Sequence, residues 1–207
     1  ALSDRPAVRL AGTVGAPVVR GHHRLRDRTA PDPSGIAVRP ESEPAATLAA
    51  VAATASPDRL HAVRDERFYR WRLGNPDWEY TAYVADGETG PEAAVVVGRG
   101  TDRSLTTVKL TDAVPLGTAA DGALAAALRR IVADHADADL FVAPPQGIPV
   151  SVLRSFGFHA DTSPPLSLLT SRTTHVVRTL TGDWTHHGRD VTDPDSWLLT
   201  FAEADTS

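Results

Sequence analysis

The chain has 207 residues, of which 42% are apolar and 23% charged, enough to bury a full hydrophobic core and too apolar for wholesale disorder. Cysteine is absent, which excludes a disulfide scaffold, a thiolate metal site and a cysteine nucleophile. The formal net charge of −5 gives no general attraction to nucleic acid, no apolar run nears the roughly 20 residues of a spanning helix, and no signal-peptide pattern opens the chain, so the expectation is a soluble, cytoplasmic domain without nucleic-acid or membrane partners.

Usage within the charged set is uneven. Lys109 is the single lysine and Asp outnumbers Glu, a bias expected of a salt-adapted or GC-rich source. An opening at Ala1 with no methionine anywhere reads as a segment of a longer chain, with a domain preceding it. Arg5, Arg9, Arg20, Arg24, Arg26 and Arg28 face only Asp4 and Asp27 in the first 28 residues, which reads as a basic, solvated or domain-packing arm. The turn-rich stretch from Thr29 to Gly35 ends that arm, so the expected organisation is an arm or linker over 1–35 and one domain over 36–207.

In chain order, Ile36 to Arg39 reads as a strand. Pro44, Leu48 and Val51 then read as a helix. A second helix is predicted from Asp58 to Leu73, stopped by Gly74-Asn75-Pro76. Trp78 to Ala85, Ala93 to Gly98 and Leu105 to Val114 have strand character and are joined by short turns, which predicts an antiparallel meander. Leu124, Leu128, Ile131 and Val132 form one apolar helical stripe. Leu140 to Ala143 reads as a short strand, and Pro149 begins a helix that Gly157 closes. Leu166 to Leu169, Thr174 to Leu180 and Trp197 to Ala202 are expected as further strands. The sum is an α/β class with a mixed sheet and helices on its faces.

That order, with Phe68-Tyr69-Arg70-Trp71-Arg72-Leu73-Gly74-Asn75-Pro76 before the sheet and Leu153-Arg154-Ser155-Phe156-Gly157-Phe158 late in the chain, resembles the GNAT family of N-acetyltransferases over roughly residues 36–180. The resemblance implies a GNAT-like acyl-CoA N-acyltransferase fold, here as the C-terminal copy of a tandem protein. It implies acetyl-CoA as cofactor and a small-molecule or peptide amine as acceptor. Family members hold the CoA pyrophosphate on backbone amides in an R/Q-x-x-G-x-G/A loop at a helix start, a natural anion site.

In that place this chain carries Thr118-Ala119-Ala120-Asp121-Gly122-Ala123. Thr118 replaces the basic or amide residue and Asp121 the first glycine, and Asp121 serves equally as a helix N-cap. By the resemblance Val114, Leu116 and Gly117 align the pantetheine arm, while Thr118, Ala119 and Gly122 complete the cofactor site. The tyrosine that family members use as an acid falls on Leu153. Asp112, near the end of the fourth strand, is the candidate base for the acceptor amine.

Trp71, Trp78 and Tyr83, within an aromatic group that also includes Phe68, Tyr69 and Tyr80, are the candidate acceptor-site residues; packing between helix and sheet accounts for them as well. Arg70 and Arg72 could hold an anionic acceptor. His186 and His187 near Asp183, Asp190, Asp193 and Asp195 have no metal-ligand spacing, and no metal is expected. The expected function is acyl-CoA-dependent N-acetylation of an unknown amine; the alternative is a catalytically silent GNAT-like domain that binds a partner domain or ligand.

Overall fold

The structure, a computed structural model, describes residues 35–162 and 176–204. The basic arm and the expected strand at Leu166 to Leu169 lie outside them. Among the described residues, β1 (Ala37–Glu41) is followed by α1 (Ala45–Ala52), α2 (Glu66–Arg72), β2 (Glu79–Gly87), β3 (Gly90–Asp102), β4 (Leu105–Val114), α3 (Asp121–Asp134), β5 (Leu140–Val142) and α4 (Val150–Ser155). A two-stranded hairpin, β6 (Thr185–His186) and β7 (Arg189–Asp190), and a 3-10 turn at Pro194–Ser196 complete them.

The main sheet is mixed and runs β1-β2-β3-β4-β5, with antiparallel pairing through β4 and a parallel β4–β5 pair. Ala93 to Val97 is buried on both sides of the sheet, so its continuous apolar run follows from layers on both faces rather than from alternation with solvent. On one face Tyr83, Val95, Val97, Val108, Leu110 and Ala113 meet Leu124, Leu128 and Ile131 of α3. Full burial of each of those three side chains is worth about 2 kcal/mol. The other face carries Ala82, Val84, Ala94, Val96 and Val114 against Leu48, Val51 and Tyr69 from α1 and α2.

Three predicted elements differ from the structure: of the strand expected at Thr174 to Leu180, the described residues 176–180 form none. The second helix begins at Glu66, not near Asp58, because Asp65 takes extended backbone and its carboxylate accepts the Phe68 N–H at 2.7 Å, a side-chain cap that fixes the start. Leu60 instead exchanges backbone hydrogen bonds with Ser196 and Leu198. Trp197 to Ala202, expected as a strand, makes only that one bridge with Leu60 and then turns across the end of the sheet. Its apolar residues are buried by packing against loops, so their spacing does not report a ladder.

Candidate functional site

The site grows from an irregularity in β4. Val96 of β3 is level with Asp112 and Val97 with Leu110, which leaves Thr111 as an extra residue. Such a bulge reverses the in-out alternation beyond it. Val108 and Leu110 face α3, and with unbroken alternation Asp112 would join them. The bulge turns Asp112 and Val114 to the α1–α2 face instead, returning Ala113 to the α3 side.

There Asp112 is 1% exposed. Arg64 donates from Nε to Oδ2 at 2.9 Å and from Nη2 to Oδ1 at 3.1 Å, a two-pronged pair. The Tyr69 hydroxyl donates to Oδ2 at 3.0 Å. Thr200 Oγ1 lies 2.9 Å from Oδ1 and 3.0 Å from Glu203 Oε2, with one proton to share between them. Glu203 also pairs with Arg64 Nη1 at 2.7 Å. Burial pushes the Asp112 carboxyl up from the ordinary carboxylate range, and the Arg64 charge and the Thr200 hydroxyl pull it back. Burial, reinforced by the Asp112 charge, pushes the Tyr69 phenol well above its ordinary value, so it stays protonated.

A carboxylate whose oxygens are all engaged and which solvent does not reach has no free lone pair for an incoming amine. Asp112, expected as a base, is a tie between β4, α2 and the C-terminal segment. Arg64, Thr200 and Glu203 complete it and carry no sequence signal, because two distant, irregular stretches supply them.

The residues expected at the cofactor lie together. β4 pairs with β5 only from Thr107 to Lys109, and from Leu110 to Val114 β4 runs on beyond the end of β5 at Val142. Beyond β4 come a cis Val114–Pro115 bond, buried Leu116, and Gly117 with φ +66°. Thr118 is exposed and Ala119 half-buried, and Gly122 lies exposed in the first turn of α3. The N-cap is Ala120, not Asp121, and no side chain caps α3. Its first amides therefore keep their donors and the partial positive charge of a helix start. Leu198 packs 3.4 Å from where a Cβ on Gly117 would stand, Thr200 crowds Gly147 beyond β5, and Gln146 Oε1 accepts the Leu199 N–H. The C-terminal segment thus spans the ends of β4 and β5.

The three expected acceptor-site aromatics are not brought together. Trp71 is 72% exposed on the outside of α2. Tyr83 is buried on the α3 face, 3.1 Å from His135 Nε2. Trp78 lies on the α1–α2 face, its ring 3.8 Å from Lys109 Nζ. Strand alternation separates Trp78 from Tyr83, five residues apart on β2 and its lead-in. Arg70 is exposed and pairs with Glu66, whereas Arg72 is buried. His186 and His187 stack edge to face on the exposed β6–β7 hairpin.

No helix among the described residues is long and apolar enough to cross a membrane. Comparison of the chain with models of known protein families, with curated proteins and with solved structures returned no match.

Proposed function

We propose that this chain is a GNAT-like domain that binds acyl-CoA in the β4–β5 fork and works as an N-acyltransferase on an amine reached from the α1–α2 face. The observation that carries the reading is the fork itself. Three residue pairs join β4 to β5, after which the β4 edge has no β5 partner and leads through Gly117 to the uncapped start of α3. The strand edge would align an extended pantetheine amide by amide, and the α3 amides would receive the pyrophosphate. Asp121, exposed in the first helical turn, opposes that anion and weakens binding.

Acetyl-CoA, when bound, supplies an activated acyl thioester. The chain's part is to hold that thioester at the fork, admit the amine and exclude water. Asp112 acts here as a positioning residue: it fixes the bulge and the end of β4, and the proton of the acceptor amine leaves to solvent or to the acceptor's own groups.

A second reading, a catalytically silent binding domain, is favoured by one specific observation. Asp112 and Tyr69 are both fully engaged, and the apolar Leu153 stands where the resemblance calls for an acid. Calorimetric titration of the chain with acetyl-CoA and desacetyl CoA, in low and in molar salt, separates the cases. Micromolar binding of both followed by CoA release with an amine supports the transferase; binding without turnover supports the silent domain; no binding in either salt rejects the fork as a cofactor site.

A further inference from the structure

On the α1–α2 face two cations are brought together under cover. Arg72 reaches in from the end of α2 and is 7% exposed; Lys109 rises from β4 and is 4% exposed. Arg72 Nη2 donates to the carbonyls of Phe201 at 3.0 Å and Ala204 at 3.2 Å, which fixes the guanidinium plane. Its Nε is buried and has no hydrogen-bond partner, and the buried hydroxyl of Tyr80 has none either. A buried donor without a partner costs about 1–3 kcal/mol, more when charged, so two in one region call for an acceptor.

The rings of Tyr80 and Trp78 pack against the β3 backbone beside these donors. Gly98 and Gly100 on β3 have no side chains, and a Cβ on Gly98 would stand 3.0 Å from the Tyr80 ring and 3.2 Å from that of Trp78. The glycines let both rings lie flat along the sheet, and Lys109 Nζ sits over the Trp78 face at 3.8 Å.

We propose that Arg72 Nε, the Tyr80 hydroxyl and Lys109 form a binding site for a small oxyanion, a carboxylate or phosphate group. The three are donors at neutral pH, and a guanidinium held by its far nitrogen presents Nε as a fixed, charge-assisted donor. Burial, and then the neighbouring Arg72 charge, lower Lys109 to about 8, and an anion bound beside it would raise that value. The site does not rest on the acyl-CoA reading: Lys109 belongs to the last β4–β5 pair, but none of the three donors is among the residues assigned to the cofactor.

Lys109 is the single lysine, so lysine labelled with 13C at Cε gives one NMR signal that reports on the site alone. The full chain is titrated with inorganic phosphate and with succinate, at ionic strength held constant with chloride. The expected result is a saturable shift of that signal, with the Lys109 titration moving upward when the anion is bound. A response to phosphate alone assigns a phosphate group, and a response to succinate alone assigns a carboxylate. Tyr80→Phe should weaken binding roughly fivefold and Arg72→Lys more, as expected for loss of one neutral and one charge-assisted hydrogen bond. No saturable shift with either anion overturns the site, as does unchanged affinity in both variants; if Arg72→Lys does not fold, unchanged affinity in Tyr80→Phe alone overturns it.

Discussion

Arg64 grips both carboxylate oxygens of Asp112, 48 residues further along the chain, at 2.9 and 3.1 Å and out of reach of solvent. Removing one member of such a pair leaves the other buried and charged, which costs more than the pair itself contributes. Arg64→Ala should therefore lower stability by about 3–5 kcal/mol in chemical denaturation. Asp112→Asn should cost less, on the order of 2 kcal/mol, because Glu203 still pairs with Arg64. Equal and small effects for the two would show the cluster to be solvated.

Lys109 makes stability depend on alkaline pH. Its folded-state value is lowered to about 8, so between there and the ordinary lysine value the unfolded chain binds more protons than the folded one. Stability should rise with pH across that window, and Lys109→Met should flatten the rise. Urea midpoints measured from pH 7 to pH 10 test this; a fall with pH in the unsubstituted chain that Lys109→Met abolishes would contradict it.

His135 gives the opposite end of the profile. Arg99 Nη1 can only donate, so its 3.3 Å contact makes Nδ1 the acceptor and leaves Nε2–H to face the Tyr83 hydroxyl at 3.1 Å. Protonating Nδ1 would set it against the Arg99 charge. Burial first, and then Arg99, lower the His135 value, with Asp134, Asp137 and Glu79 opposing the shift. Its contribution is complete above the ordinary histidine value and is lost as pH falls towards the folded-state value. His135→Gln should remove stability at pH 7.5 and little at pH 5, read as thermal midpoints.

Gly147 tests how tightly the C-terminal segment is laid down. Its φ is +92°, and a Cβ there would stand 2.9 Å from Thr200 Cγ2. Gly188, at φ +75°, has nothing within 4 Å. Both Gly→Ala changes incur roughly 1–2 kcal/mol of left-handed backbone cost. Gly147→Ala should lose about 1–3 kcal/mol beyond Gly188→Ala, from overpacking against Thr200. Equal losses in the two variants would mean that Thr200 shifts freely.

The helices and strands around the sheet could be read from the sequence wherever local signals agreed. Leu124, Leu128 and Ile131 announced α3, Pro149 and Gly157 bracketed α4, and the β-rich runs from Trp78 to Val114 announced the meander, because side-chain periodicity and turn chemistry act over a few residues. The tertiary structure alone decided the facing of Asp112, since a one-residue bulge at Thr111 reverses alternation without any mark in composition. It also decided that Trp78 and Tyr83 lie on opposite faces, that Trp197 to Ala202 is a packed segment, and that Arg64 and Thr200 converge on Asp112 with Glu203 bound to both. Burial and charge pairing join residues far apart in the chain, and no pattern along the chain records which of them will meet.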